Sequence, residues 1–213
     1  YLSSGAIINS KSIKIDNNKI IYDKNKTPIS YQYIDMIEFK FDNFNNDICT
    51  SLFSRNKLVA LESLLEELKS MRKFNSFENN LSPYYLWLLK SEVWNENYLD
   101  AKESIKFLQQ SDDNFYKQIS ECYLIYILLK EDKFNIAEEK LERIQNFEEY
   151  KSIEAMYNYL SARVYFNKKK YSKTLSFLAN IITHHSNNSE WIAPTLFLEA
   201  EVYLSRDQRE KAF

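Results

Sequence analysis

The chain has 213 residues, of which 45% are hydrophobic, 15% are aromatic and 27% are charged. This apolar content is ample for a packed core and excludes a chain that is disordered throughout. The formal charge of −2 argues against a dedicated nucleic-acid-binding protein, because such proteins are usually basic. One glycine and three prolines leave few breaks in the backbone, so we expect a mainly helical chain.

The first 41 residues show the alternating pattern of short β-strands. Residues 12–15 and 19–22 alternate apolar and polar side chains on either side of Asn17-Asn18, two residues that tolerate the positive φ of a hairpin turn. Further extended stretches are expected at residues 6–9, 29–31 and 36–41. The prediction is a small antiparallel β module, formed as a curled sheet or a barrel, that either flanks the helical part or binds a partner separately.

Residues 42–56, DNFNNDICTSLFSRN, are predicted to be a linker. Their acidic and amide side chains invite comparison with a calcium loop, but the turn glycine and the closing glutamate of an EF-hand are absent, which favours a polar turn. Leucines then recur at spacings of three and four over residues 57–71, which predicts an amphipathic helix. We interpret this helix as the second half of an incomplete repeat that covers the first complete one.

Helical hairpins occupy the rest of the chain. The small residue that opens each second helix falls at steps of 36, 37 and 38 residues, at Ala101, Ala137, Thr174 and Ala212. The predicted hairpins pair residues 82–95 with 98–110, 115–131 with 134–146, 151–166 with 171–184, and 190–205 with 208 onward. A repeat that cannot cover its own apolar face must stack on a neighbour, so this periodicity predicts a solenoid. The last helix is cut short at Phe213, so we expect the natural protein to continue.

Residues 160–181 resemble the tetratricopeptide repeat family. Ala162, Tyr165, Tyr171, Leu178 and Ile181 match the family's packing pattern, with a threonine in place of its second alanine. The resemblance implies a TPR-like α–α superhelix of about three and a half hairpins plus a leading helix, over residues 57–213. With the β module, the predicted fold class is α+β and mainly α.

The resemblance also implies a binding surface, because in this family the first helix of each hairpin lines the concave side of the superhelix. Aromatic side chains there provide contact area, and the interleaved cations favour an acidic partner segment, extended or helical. We expect about half of the aromatic side chains to be exposed. The expected partner-binding residues are Leu86, Lys90, Trp94, Tyr126, Lys130, Tyr159, Arg163, Asn167, Phe197 and Glu201.

No pattern in the sequence indicates catalysis or a bound cofactor. His184 and His185 are adjacent, so on a helix they point about 100° apart and suit a helix C-terminus better than a metal site. A single glycine cannot build a phosphate loop. Cys49 and Cys122 are too few for a disulfide framework, and Cys122 is expected to be a buried small hydrophobe. We therefore expect no enzyme activity, no cofactor and no metal, and we interpret the lysines at 168–170 as a solvated turn.

Two functional hypotheses follow. The first is a non-enzymatic scaffold that holds a peptide or helix of a partner protein in the concave groove. The alternative is a structural component of a bacterial cell-envelope assembly or secretion machine, since residues 185–204 resemble the repeats of outer-membrane assembly lipoproteins. A periplasmic or envelope location is therefore slightly favoured over the cytoplasm. No apolar run reaches the roughly 18 residues of a membrane span, and the sequence leaves the oligomeric state open.

Overall fold

The computed structural model describes residues 1–4, 8, 13–16, 19–22, 28–144 and 151–207 of the chain. Helices make up most of this part, which confirms the mainly α prediction. In chain order they are α1 (Asn46–Ser54), α2 (Leu58–Leu65), α3 (Glu67–Met71), α4 (Ser82–Trp94), α5 (Tyr98–Leu108), α6 (Asn114–Lys130), α7 (Phe134–Glu142), α8 (Lys151–Asn167), α9 (Tyr171–His184) and α10 (Ile192–Ser205).

These helices form consecutive antiparallel hairpins whose members pack on each other: α1 with α2, α4 with α5, α6 with α7 and α8 with α9. The last three pairs match the hairpins predicted from the sequence, with ends that agree within a few residues. The fourth predicted hairpin begins with α10, and its second helix, from residue 208 onward, lies outside the described residues. The arrangement is compatible with a helical-repeat fold.

The same turn follows the first helix of each hairpin. One residue has a left-handed backbone, with φ between 54° and 62°, at Asn56, Glu96, Asp132, Lys169 and Asp207. After the first four of these residues, the next amide donates to the carbonyl five residues back, for example from Asn97 to Glu92 at 2.8 Å and from Lys170 to Tyr165 at 2.9 Å. This Schellman arrangement satisfies carbonyl groups that would be unpaired at the helix end. Its recurrence at steps of 36 to 40 residues gives the repeat a second, backbone signature.

Residues 42–56 are not the linker that the sequence predicted, because they contain α1. Asn45 precedes this helix, and its side-chain oxygen accepts the Ile48 amide at 3.0 Å, which is an N-cap. Cys49 is fully buried and fixes the helix on the core. The polar run is therefore a helix start, and α2 belongs to a complete hairpin rather than to an incomplete repeat.

The amphipathic helix predicted over residues 57–71 is present as α2 and α3. Glu66 separates the two, and a short 3₁₀ turn, Arg72–Phe74, follows. Leu61, Leu65 and Leu68 are fully buried, which confirms the predicted apolar face.

The N-terminal strands form one small antiparallel sheet. β1 (Ile13–Asp16) pairs with β2 (Lys19–Tyr22), as predicted, with Ile15 opposite Ile20. β3 (Ile29–Ser30) pairs with the other side of β2. The strand expected at residues 6–9 falls mostly outside the described residues.

The strand predicted at residues 36–41 does not join this sheet. It is reduced to β4 (Met36–Ile37), which runs parallel to β5 (Glu78–Asn79) in the segment before α4. The Phe39 amide and carbonyl both bond the Asn80 side chain at 2.8 Å. A small apolar cluster completes this contact, formed by Ile20, Ile37, Phe74 and Phe77. In the described part, the strands therefore flank the helices instead of closing a barrel.

The first helices of the hairpins form the inside of the helical part. Helix α6 packs against α4, α5, α7 and α8, so it is buried on more than one face and lacks a single apolar stripe. The small residues predicted at helix contacts, Ala101, Ala137 and Thr174, are fully buried. Their size lets the second helices approach closely and leaves α4, α6 and α8 side by side as the floor of the candidate site.

Candidate functional site

Five aromatic side chains meet where α4, α6 and α8 face the residue before α10. The Trp191 ring lies 5.6 Å from Trp94, 5.8 Å from Tyr126 and 5.3 Å from Tyr159, measured between ring centroids. Tyr123 is 6.4 Å away. We call these five residues the aromatic centre. Trp191 is only 2% exposed, so its indole fills the space between the three helices.

Glu190 adds a charged contact beside the aromatic centre. Its carboxylate accepts hydrogen bonds from Lys90 Nζ at 2.7 Å and from Trp94 Nε1 at 3.1 Å, and also from the Tyr123 hydroxyl. The Glu190 side chain is 8% exposed. Burying a carboxylate is favourable only when it is paired and hydrogen-bonded, and these three donors meet that condition.

Glu190 and Trp191 belong to residues 185–191, which link α9 to α10 and which we call the returning segment. Asn188 shapes this segment: its side-chain oxygen accepts the amides of Glu190 at 3.1 Å and Trp191 at 3.3 Å. Its own amide donates to the His185 carbonyl at 2.9 Å. This Asx turn orders a run that sequence reasoning treats only as polar, and it fixes the two side chains against α4, α6 and α8.

The two histidines lie at the end of α9, as predicted. His184 is the last residue of the helix and is exposed. His185 follows it, and its Nε2 lies 3.3 Å from Glu154 Oε2 on α8. Among the described residues, no group of three His, Cys, Asp or Glu side chains is placed to hold a metal ion.

Four of the ten predicted partner-binding residues face the returning segment or lie beneath it: Lys90, Trp94, Tyr126 and Tyr159. Tyr126 and Tyr159 are 6% and 7% exposed, so they belong to the core. The open groove expected at these positions is therefore filled by the chain itself, because the Trp191 indole covers both rings.

The other six predicted residues lie around this filled region. Leu86 is half-buried against the core. Arg163 on α8 pairs with Glu201 on α10, with Nη1 and Oε2 3.0 Å apart. The exposed members are Lys130, Asn167 and Phe197. Phe197 is 69% exposed and is followed along the same helix by Glu201, one turn later.

A cavity of about 220 Å³ lies beside the returning segment. Lys90 Nζ lies over two aromatic rings of its wall, at 5.2 Å from the Phe53 centroid and 5.1 Å from the Trp87 centroid. The wall combines α1, α4 and α6 with the returning segment and includes Thr50, Phe53, Ser54, Trp87, Lys90, Ile119, Asn187, Asn188, Ser189, Glu190 and Trp191. The first hairpin and the start of the last one therefore face each other across α4.

Glu92 forms a second buried polar group, on the side of α4 that faces α5. It is fully buried, and Ser104 Oγ donates to its Oε2 at 2.7 Å. Arg72 Nη2 lies 3.8 Å from its other oxygen and donates to Ser104 Oγ at 3.2 Å. Burial raises the pKa of Glu92 to about 7, against the opposing effects of the Ser104 hydrogen bond and the Arg72 charge. The group joins α4 and α5 to the turn after α3.

Sequence reasoning missed Glu92, Glu190 and Trp191. Helix α4 carries only two charged residues, Lys90 and Glu92, among apolar and small ones, which is a usable signal that each has a specific partner, because an unpaired charge is almost never buried. Glu190 and Trp191 lie between a polar run and the start of α10, so the periodicity of the helices gives no information about them. Only the contact with α4, α6 and α8 reveals their role.

Comparison with known proteins supplies no relative. No protein-family model matches the chain, and neither the curated proteins nor the solved structures contain a match. In the described part of the chain, no helix combines the length and apolarity needed to cross a membrane. We therefore infer the function from the geometry of the site.

Proposed function

We propose that this chain is a non-enzymatic protein-binding scaffold, a TPR-like superhelix whose first helices hold a segment of a partner protein. The observation that supports this proposal is the returning segment. Helices α4, α6 and α8 already receive a short stretch of polypeptide, through one buried aromatic side chain and one hydrogen-bonded carboxylate. Buried aromatic anchors with satisfied charged neighbours are the usual centre of a protein interface.

A partner has further contacts available at the exposed edge of this surface. Phe197 and Leu196 on α10 are 69% and 51% exposed. The Arg163–Glu201 pair joins α10 to α8, and Lys130 and Asn167 are exposed at the ends of α6 and α8. A partner would cover these two adjacent apolar side chains together with the charged ones around them.

The experiment is a capture of proteins from a lysate of the source organism on three immobilised chains. These are the intact chain, the double variant Lys130→Glu/Phe197→Ala, and a matched control, Lys106→Glu/Leu99→Ala, with the same chemistry on the outer helix α5. Leu99 is 84% exposed, so the control leaves the core untouched. We expect one partner to be kept by the intact chain and the control and lost by the first variant. Equal retention by all three chains would overturn the proposal.

A further inference from the structure

We infer that the returning segment occupies the place of the partner, and that this site takes a protein segment in which an acidic residue is followed by an aromatic one. This inference rests on the proposed function and adds the chemistry of the ligand. The chain itself contains such a pair, Glu190-Trp191, seated in the site. A partner that carries the same pair would compete with it.

The acidic preference comes from three hydrogen-bond donors that converge on one point. Lys90 Nζ, Trp94 Nε1 and the Tyr123 hydroxyl all donate to the Glu190 carboxylate. The ammonium and the indole N–H have no acceptor capacity, so an apolar or cationic side chain in this place would leave these donors unpaired, and an amide would offer them one oxygen and no charge. A site built around such donors discriminates strongly against a ligand that lacks the acceptor.

The aromatic preference comes from the shape of the neighbouring space. Trp94, Tyr126 and Tyr159 surround the Trp191 indole at centroid distances of 5.3 to 5.8 Å. The Trp94 and Tyr159 rings are tilted by 51° and 38° to the indole, and the Tyr126 ring, at 71°, meets it edge-to-face, an arrangement that aromatic pairs favour. An aliphatic side chain would leave part of this space empty.

The returning segment is held in a way that allows replacement. In the part of the chain that is described, the hydrogen bonds from residues 185–191 to α4 and α6 all end on the Glu190 carboxylate. The backbone bonds of Asn188 and Trp191 stay within the segment and the first turn of α10, and His185 adds one polar contact, to Glu154 on α8. The cavity of about 220 Å³ beside it gives a competing peptide a point of entry. A partner can bind only those chains in which the returning segment has left the site. The apparent affinity for the partner is therefore lowered in proportion to the fraction of such chains.

The test supplies the segment as a separate peptide. A fluorescent peptide of residues 185–192, HSNNSEWI, is titrated with the full intact chain and with the full chain carrying Glu190→Gln/Trp191→Ala, in which the internal ligand is removed. A second peptide has Gln and Ala at the same two positions. We expect the variant to bind the first peptide at least about tenfold more tightly than the intact chain does, and to prefer it at least about tenfold over the second peptide.

Adding Lys90→Ala to the variant should remove this preference. A folded variant that binds neither peptide, or both equally, overturns the inference. If circular dichroism shows that the double variant is unfolded, the same titration uses Glu190→Gln alone, which keeps the Trp191 anchor; failure of this chain to bind more tightly than the intact one overturns the inference equally.

The outcomes separate this inference from the proposed function. If a partner is captured through Lys130 and Phe197 but no peptide binds, the scaffold proposal stands and the inference of an acidic–aromatic ligand is overturned. Selective peptide binding supports the ligand chemistry, and if no partner depends on Lys130 and Phe197 the scaffold proposal fails by its own experiment.

Discussion

The Lys90 ammonium donates a hydrogen bond to the Glu190 carboxylate over 2.7 Å, although the two residues are 100 positions apart in the chain. Lys90 lies in the middle of α4 and Glu190 lies in the returning segment. Because Trp94 and Tyr123 bond the same carboxylate, one side chain ties α4 and α6 to the start of the last hairpin. Helical repeats normally contact only their neighbours, so this connection across the chain adds cooperativity that a simple stack lacks.

Replacing Glu190 with alanine should lower the free energy of unfolding by about 2–4 kcal/mol, because a partly buried ammonium and two further donors lose their acceptor. Urea denaturation followed by far-ultraviolet circular dichroism measures the change. The control is Glu103→Ala, which removes an exposed carboxylate paired with Lys106 and should leave stability almost unchanged, because solvent screens that pair. Equal losses in the two variants would show that the Glu190 contacts do not stabilise the fold.

Glu92 should make stability depend on pH. Its folded pKa of about 7 lies above the ordinary value of 4.5, so between these values the folded state binds more protons than the unfolded state. The protonated Glu92 side chain therefore stabilises the folded state fully at low pH, and this stabilisation is lost as the pH rises through about 7. Denaturation of the wild type and of Glu92→Gln between pH 5 and pH 8 should show a relative shift of about 2–3 kcal/mol in favour of the variant at the higher pH.

A difference between wild type and Glu92→Gln that stays constant over this pH range would contradict the assignment. The comparison is made between the two proteins because the exposed carboxylates titrate equally in both. Only the Glu92 contribution then remains in the difference.

Lys169→Gly should stabilise the protein by about 0.5–1 kcal/mol. Lys169 has φ 55°, a left-handed conformation in which a side chain costs energy and glycine does not. The gain is reduced by the extra freedom of glycine in the unfolded chain. Lys169→Ala removes the same charge but keeps the Cβ atom, so it should leave stability within about 0.5 kcal/mol. Thermal denaturation of both variants separates the backbone effect from the effect of the charge. Equal changes in Tm for the two variants would contradict a backbone effect.

Both thiols should be unreactive in the native protein. Cys49 and Cys122 are fully buried, and burial raises the pKa of Cys49 to about 11 and that of Cys122 to about 12. The thiolate is the reactive form, so labelling with a disulfide reagent at pH 8 should require unfolding. Ser172→Cys supplies an exposed thiol as a positive control. If both native cysteines are labelled as fast as the control thiol, the core opens readily.

The sequence alone determined the helical hairpins. Small residues at steps of 36 to 38 residues mark contacts that any stacked repeat must make, and Ala101, Ala137 and Thr174 are buried as that argument requires. The hairpin between β1 and β2 followed equally from alternation around two asparagines. These features are local, because periodicity and turn chemistry act over a few neighbouring residues.

Predictions that needed more than local pattern failed. The run at 42–56 looks like a linker because its first residues are polar, but Asn45 uses that polarity to cap α1. The strand at 36–41 alternates correctly, yet its partner is a segment about forty residues later that no periodicity connects to it. A helix cap looks like a polar turn in the sequence, and a strand with a distant partner looks like one strand of a hairpin. Only the neighbouring segments in space distinguish the members of each pair.

Tertiary structure alone decided what covers the inner helices. The family pattern placed Tyr126 and Tyr159 on a binding surface, and the repeat periodicity allowed that position. Their burial under Trp191 depends on how the successive hairpins stack, because the stacking brings the returning segment against α4. The sequence thus determined the repeating unit, because its interactions are local, and the accumulated geometry of the stack determined the site.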